Sequence, residues 1–186
     1  MADEKYVDLN GDGYKETIVS DESGDGNYDT VSSDTTGDGY VDTVITDTDG
    51  DGYADTAVYD TDGDGYADYA EADLNGDGYV DAAAADTTGD GNYDTYAYDS
   101  NGDGYVDFVG QDTDGDGNID VGVADTNHDG YADTYAADTT GDGNPDTYGF
   151  DYDEDGEIDE YGIDEDGDGD IDYYTDDIDD DVFDDF

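Results

Sequence analysis

Short apolar and β-branched segments alternate with longer polar stretches along the whole chain. Typical segments are Thr43-Val44-Ile45-Thr46, Thr56-Ala57-Val58-Tyr59 and Thr95-Tyr96-Ala97-Tyr98. Thr, Val, Ile and Tyr fit a pleated surface, and such short segments cannot form a stable helix, which needs roughly three turns. Each segment therefore predicts a short β-strand, and the glycine-rich stretches between the segments predict loops.

The polar stretches repeat every thirteen residues from Asp8 to Asp176, and an Asp opens each of the thirteen units. Position 5 is always Asp, position 6 is always Gly and position 9 is always acidic. An unbroken period of this kind is typical of repeat proteins, in which each unit contacts its neighbours. The sequence therefore predicts one repeat domain over residues 1–186. It consists of a partial strand at 1–7, thirteen repeats at 8–176 and a degenerate fourteenth repeat at 177–186.

The repeated polar positions carry side-chain oxygens at positions 1, 3, 5 and 9 around a glycine that permits a sharp turn, which is what a hard cation such as calcium requires. The candidate metal ligands at position 1 are Asp8, Asp21, Asp34, Asp47, Asp60, Asp73, Asp86, Asp99, Asp112, Asp125, Asp138, Asp151 and Asp164. Those at position 3 are Asn10, Asp49, Asp62, Asn75, Asn101, Asp114, Asn127, Asp153 and Asp166, with Ser23, Thr36, Thr88 and Thr140 as weaker donors. Those at position 5 are Asp12, Asp25, Asp38, Asp51, Asp64, Asp77, Asp90, Asp103, Asp116, Asp129, Asp142, Asp155 and Asp168. Those at position 9 are Glu16, Asp29, Asp42, Asp55, Asp68, Asp81, Asp94, Asp107, Asp120, Asp133, Asp146, Asp159 and Asp172. Because affinity follows the ligand charge, we expect tighter sites where position 3 is Asp.

The loop core resembles the calcium loops of thrombospondin type 3 repeats and of integrin-type FG-GAP repeats, and more distantly those of EF-hands and dockerins. Asp73-Leu74-Asn75-Gly76-Asp77-Gly78-Tyr79-Val80-Asp81 is an especially close match. The resemblance implies calcium held by positions 1, 3, 5 and 9 and by the position 7 carbonyl, with position 9 bidentate. The chain lacks the cysteines, the long blades and the flanking helices of these families, and position 12 is Glu only at Glu71. Only the loop is therefore carried over.

Composition favours metal-dependent folding. The chain has 60 acidic and 2 basic residues among 186, a formal net charge of -58. Self-repulsion and the ordering entropy of so many Asp and Gly residues predict no compact fold without metal. Thirteen calcium ions, about one per repeat, carry +26 and would lower the formal charge to about -32. With no Cys, thiolate zinc sites, iron-sulfur clusters and disulfides are excluded.

The predicted fold class is all-β, a calcium-stabilised repeat solenoid or rod in which each unit is a metal loop plus a short strand. If each unit is one coil, neighbouring strands pair at about 4.8 Å and the ions form one column in a rod about 60 Å long. The alternative is a string of separate loops with wider metal spacing and little sheet. We favour the stacked form because the β-branched and aromatic strand residues would otherwise be exposed. Tyr side chains, frequent at position 7, are expected to pack as aromatic columns.

The chain ends suggest a mode of assembly. Residues 177–186 place Asp177, Asp179, Asp181 and Asp185 in ligand columns, but Val182 replaces the turn glycine. Both Lys residues lie near the other end. We expect a homopolymer built head to tail, in which the last loop of one subunit is completed by the first strand of the next. Two solvated caps are the alternative, as is common in solenoids.

The most economical function is a calcium-binding structural protein, the subunit of an extracellular or cell-surface filament. An enzyme is not expected, because identical carboxylate pairs form no unique pocket and the sole histidine, His128, is expected to point to solvent. Calcium buffering or mineral nucleation is the main alternative, and acidic mimicry of nucleic acid is a weaker one. No nucleic-acid partner, no membrane span and no recognisable signal peptide are predicted. Millimolar extracellular calcium would fill many weak sites.

Overall fold

The computed structural model describes residues 3–9 and 11–176, and all of its regular elements are β-strands of three to five residues. The strands are β1 (Asp3–Val7), β2 (Thr17–Asp21), β3 (Thr30–Ser33), β4 (Thr43–Thr46), β5 (Thr56–Tyr59), β6 (Tyr69–Ala72), β7 (Ala82–Ala85), β8 (Thr95–Tyr98), β9 (Phe108–Gln111), β10 (Val121–Ala124), β11 (Thr134–Ala137), β12 (Thr147–Phe150), β13 (Glu160–Ile163) and β14 (Tyr173–Thr175). The strands after β1 all begin at position 10 of a thirteen-residue repeat, so the prediction of one loop and one strand per repeat is confirmed.

The chain divides into two compact units, Met1–Tyr93 and Asp94–Phe186. Strands β1 to β7 form an antiparallel meander in the first unit, and β8 to β14 form a second one. Within each meander every strand pairs with the strands that precede and follow it in sequence. The all-β repeat architecture is therefore confirmed.

Antiparallel pairing changes the expected arrangement of the loops. Because successive strands run in opposite directions, consecutive loops lie at opposite ends of the strands. We call the loops at the same ends of the strands a loop row. Each of the two compact units thus has two loop rows in place of the predicted single column of loops. Neighbouring loops in a row are two thirteen-residue repeats apart. At roughly 4.8 Å per strand, loops in one row are about 9.6 Å apart, so the repulsion between ions in adjacent loops is about half that in a single column.

Apolar burial is small, as the composition predicts. Among the described residues, the buried hydrophobic side chains are Ala57 and Ala137. Directly opposed strand residues supply aromatic contacts, with ring centroids 5.9 Å apart for Tyr59 and Tyr69. These contacts favour the sheet but cannot offset a charge of this size, so the fold depends on how its carboxylates are neutralised.

Position 8 of several loops packs over a glycine of the preceding strand. A Cβ atom added to Gly149 would lie 2.7 Å from Cδ1 of Ile158, and one added to Gly162 would lie 2.7 Å from Cδ1 of Ile171. Each isoleucine sits where the strand has no side chain. The isoleucines at position 8 are thus matched to missing side chains in the preceding strand.

We expect Gly149→Ala to destabilise the second unit by about 1–3 kcal/mol, because the added methyl group overlaps Ile158. Ile158→Val in the same chain should recover part of the loss by removing the clashing Cδ1 atom. Thermal unfolding of the single and double variants in calcium measures both changes. Equal stability of Gly149→Ala and the unchanged chain would contradict this packing.

The predicted degenerate repeat at 177–186, with Asp177, Asp179, Asp181, Asp185 and Val182, lies outside the described residues, as does Asn10.

Candidate metal centre

Each loop is organised by the aspartate at position 1, whose two carboxylate oxygens accept different backbone hydrogen bonds. In the loop that begins at Asp60, the N–H of Gly63 donates to Oδ1 at 2.7 Å and the N–H of Gly65 donates to Oδ2 at 2.8 Å. The same pair of bonds recurs in the loops that begin at Asp99 and Asp164. The chain therefore curls around one carboxylate, and each oxygen keeps a lone pair for a cation.

Positions 4 and 6 both adopt the left-handed backbone conformation. In the Asp60 loop, Gly63 has φ 78° and Gly65 has φ 92°. The non-glycine residues at position 4, His128 and Glu154, have φ 60° and 59°. Sequence reasoning assigned the sharp turn to position 6 alone; the two left-handed residues together bring N–H groups onto the position 1 carboxylate.

The position 9 carboxylate closes the loop from its other end. In the loop that begins at Asp34, Oδ2 of Asp42 accepts the N–H groups of Thr35 and Thr36 at 2.6 and 2.8 Å, and the Thr35 hydroxyl at 2.7 Å. An oxygen with three donors has no lone pair left for a cation. Oδ1 is therefore the oxygen offered to a metal, whereas bidentate binding would require some of these hydrogen bonds to break.

Positions 3 and 5 lie on the exposed side of the loop. In the Asp60 loop, Oδ1 of Asp64 at position 5 accepts the N–H of Tyr66 at 2.8 Å, and Oδ1 of Asp62 at position 3 accepts the N–H of Asp64 at 3.0 Å. Both side chains belong to exposed residues. The loop thus has two ligand positions at its base, 1 and 9, and two at its mouth, 3 and 5.

The carboxylates come within reach of a single ion. Ligand oxygens lie within 4.8 Å of one another in groups that combine positions 1, 5 and 9 or positions 1, 3 and 9. In the first unit these groups are Asp8, Asp12 and Glu16; Asp21, Asp25 and Asp29; Asp34, Asp38 and Asp42; Asp47, Asp49 and Asp55; and Asp60, Asp62 and Asp68. The pattern supports divalent metal binding by the repeats.

Burial distinguishes the base of the loop from its mouth. In the described part of the chain, twelve Asp side chains are buried, and all occupy position 1 or position 9; they are Asp42, Asp60, Asp73, Asp81, Asp94, Asp99, Asp107, Asp112, Asp125, Asp138, Asp151 and Asp164. A buried carboxylate is costly unless it is hydrogen-bonded and its charge is compensated. Backbone N–H groups meet the first requirement, and a cation coordinated between positions 1 and 9 meets the second, so the residues fit a bound divalent ion.

Local donors and neighbouring acids shift the pKa values in opposite directions. The Thr61 hydroxyl and the N–H groups of Thr61 and Asp62 lower the pKa of Asp68. At position 3 of the Asp164 loop, the charges of Asp168 and Asp172 raise the pKa of Asp166. The Asp68 carboxylate is thus held ionised by the Thr61 hydroxyl and by backbone N–H groups. The Asp166 carboxylate is repelled by its neighbours and would be relieved by a cation.

Neighbouring loops in one row are joined by their backbones and by tyrosine rings. The N–H of Asp60 donates to the carbonyl of Asp42 at 2.8 Å, linking position 1 of one loop to position 9 of the loop before it in the row. A Cβ atom added to Gly65 would lie 3.1 Å from Cδ1 of Tyr40, so the Tyr40 ring packs on glycine backbone. The position 7 residues Tyr40, Tyr53 and Tyr66 therefore cover glycines of the adjacent loop, a contact that the aromatic-column prediction did not anticipate.

The expectation that His128 points to solvent holds only in part, because its side chain is 43% exposed but its ring also contacts an adjacent loop. Its Nδ1 lies 2.8 Å from Oδ1 of Asp107, the buried position 9 residue of the adjacent loop in the row. The Ser100 hydroxyl and then His128 lower the pKa of Asp107 to about 2, and the hydrogen bond with Asp107 raises the pKa of His128. Because 21 residues separate the pair, only the stacking of alternate loops brings them together.

In the part of the chain that the structure describes, no helix is long and apolar enough to cross a membrane. Comparisons with models of protein families, with curated proteins and with solved structures find no match to this chain.

Proposed function

We propose that the protein is a calcium-binding structural protein and the subunit of an extracellular filament. The observation that carries the calcium assignment is the recurrence, in loop after loop, of three carboxylates from positions 1, 5 and 9 or 1, 3 and 9 with oxygens within 4.8 Å of one another. Many of these loops also bury the carboxylate at position 1 or at position 9. All donors within these groups are hard oxygen atoms, which suit calcium and do not favour soft metals. Loops of the same type in calcium-binding repeat families support the same ion.

The mouth of each loop supports modest affinity and extracellular calcium. Positions 3 and 5 are exposed, and an ion held there can keep bound water and exchange with solvent. Such sites would be largely empty at resting cytosolic calcium and filled at the millimolar concentrations found outside cells. Bound calcium would then stabilise the fold of a protein that has almost no apolar core.

Open strand edges support assembly into a filament. Among the described residues, β1 pairs with β2 on one side and β14 pairs with β13 on one side. Unpaired edges present backbone donors and acceptors to another strand. We infer that β1 of one copy pairs with β14 of the next. Lys5 in β1 and Lys15 beside the first loop would meet a partner that is otherwise acidic.

Electron microscopy and sedimentation of the purified chain in millimolar calcium test this assembly. The double variant Lys5→Pro/Tyr6→Pro removes two successive backbone N–H groups of β1. Because successive N–H groups along a strand point in opposite directions, one of the two lies on the edge that faces away from β2. We expect it to bind calcium normally and to form no filaments, whereas the matched variant Lys5→Ala/Tyr6→Ala should still assemble. Monomers of the unchanged chain at high concentration would refute the filament. Many weak sites without a structural transition would instead support calcium buffering.

A further inference from the structure

In several loops, position 4 is directed at a candidate ligand of the preceding loop in the row. A Cβ atom added to Gly63 would lie 3.3 Å from Oδ2 of Asp38, and one added to Gly76 would lie 3.6 Å from Oδ2 of Asp49. Each of these aspartates is a candidate ligand two repeats earlier. A side chain placed at position 4 therefore enters the metal site of the adjacent loop.

The two non-glycine residues at position 4 follow this rule. His128 reaches Asp107 of the loop that begins at Asp99, and Oε1 of Glu154 accepts a hydrogen bond at 2.9 Å from the side-chain amide of Asn127, position 3 of the loop that begins at Asp125. Two different side chains thus make the same inter-loop approach. The contact of His128 with a ligand carboxylate thus has a parallel in the next non-glycine residue at position 4.

We propose that the loop beginning at Asp99, together with His128 from the adjacent loop, forms a mixed nitrogen and oxygen site for a borderline divalent transition metal such as zinc, cobalt or nickel. The proposal rests on the proposed function in one respect, that the loops bind divalent ions. The ion proposed for this site is a transition metal and not calcium, because the site offers an imidazole beside its carboxylates.

The donor separation is compatible with a shared ion. With metal–ligand bonds of about 2.0–2.2 Å, two ligands lie about 2.8–3.1 Å apart at right angles and about 3.3–3.6 Å apart in the tetrahedral geometry that zinc prefers. Nδ1 of His128 and Oδ1 of Asp107 are 2.8 Å apart, which is a hydrogen-bond distance, so an ion would replace that bond and a tetrahedral ion would widen the separation. Asp99, Asn101 and Asp103 are the other candidate ligands of that loop.

Ligand chemistry separates this site from the others. Imidazole suits zinc, copper and nickel, whereas calcium prefers oxygen ligands alone. His128 is the single histidine of the chain, so no other loop can offer this donor. The protein should therefore carry one transition-metal site within an array of calcium sites.

The test is calorimetric titration of zinc into the full chain, purified without a histidine tag and held in excess calcium. We expect one zinc ion to bind more tightly than any other. His128→Gly, which restores the repeat consensus, and His128→Asn, which tolerates the left-handed conformation, should each weaken that event at least about tenfold. The number of calcium ions bound in the absence of zinc should be the same in both His128 variants as in the unchanged chain. A gain-of-function variant, Gly63→His, should create a second zinc site on the loop that begins at Asp34.

A spectroscopic readout identifies the donor. Because there is one histidine, long-range proton–nitrogen NMR follows its ring directly, and zinc should shift the Nδ1 signal. Unchanged zinc affinity in His128→Gly, or imidazole signals that do not move with zinc, would overturn the proposal and leave the imidazole as a hydrogen-bond partner only. Failure of calcium binding in every variant would instead refute the proposed function, and the zinc result would be judged independently of it.

Discussion

Removal of divalent ions with a chelator is expected to abolish the β-sheet circular dichroism of the protein at room temperature. The chain carries a formal charge of -58, and its buried hydrophobic side chains among the described residues are two alanines. Without cations, the buried carboxylates at positions 1 and 9 repel one another and nothing apolar compensates. Each ion at a concentration of 100 times its dissociation constant contributes about 2.7 kcal/mol, so several ions together exceed the usual stability of a domain.

Calcium added back to the chelated chain should restore the fold cooperatively. The position 1 N–H of one loop bonds to the position 9 carbonyl of the loop before it in the row, so filling one loop orders part of the next. Concentrated sodium chloride is the control, because it screens charge without coordinating the loops. Folding in salt alone, or identical melting curves with and without chelator, would show that coordination is not what holds the sheet.

Asp151→Asn is expected to cost about 3 kcal/mol and one bound calcium ion. Asp151 is 2% exposed, and its oxygens accept the N–H groups of Glu154 and Gly156 at 2.7 and 2.9 Å. The amide offers one acceptor and turns its own N–H donors toward the second backbone donor. A buried donor is then left without a partner, and a ligand charge is lost.

Thermal unfolding and calcium titration measure the two effects of Asp151→Asn separately. Asp170→Asn is the matched control, because Asp170 is exposed at position 7, where the resemblance to calcium loops assigns only the backbone carbonyl to the ion. It should leave both quantities nearly unchanged. An equal loss in the two variants would mean that net charge matters and the buried position does not.

The loop chemistry was predictable from sequence because it is local. Oxygen donors at positions 1, 3, 5 and 9, a turn glycine and a four-residue strand are read from one thirteen-residue repeat. The structure confirms the strands and brings positions 1, 5 and 9 or positions 1, 3 and 9 within 4.8 Å of one another in several loops. The hydrogen bonds within the Asp60 loop span no more than seven residues. Asn10 alone among the candidate ligands lies outside the described residues.

Contacts between loops could not be predicted, since they join residues two repeats apart. The Asp107–His128 pair spans 21 residues and the Asn127–Glu154 pair spans 27. A signal was present in the sequence, because position 4 departs from Gly at these two histidine and glutamate positions alone. What that departure meant depended on the direction in which position 4 points.

The sequence by itself determined the repeat and the strand segments, and it predicted the ligand set and the dependence on cations, because each follows from local composition and spacing. Only the tertiary structure decided that successive strands are antiparallel, since a period of thirteen residues is compatible with a coil or with a hairpin. That choice separates the loops into two rows, buries the carboxylate at position 1 or position 9 in many of them, and brings His128 onto a candidate ligand of another loop. The direction of each strand depends on how the loop before it turns and on how that loop packs against the loop two repeats away. The sequence of a single thirteen-residue repeat does not contain this information.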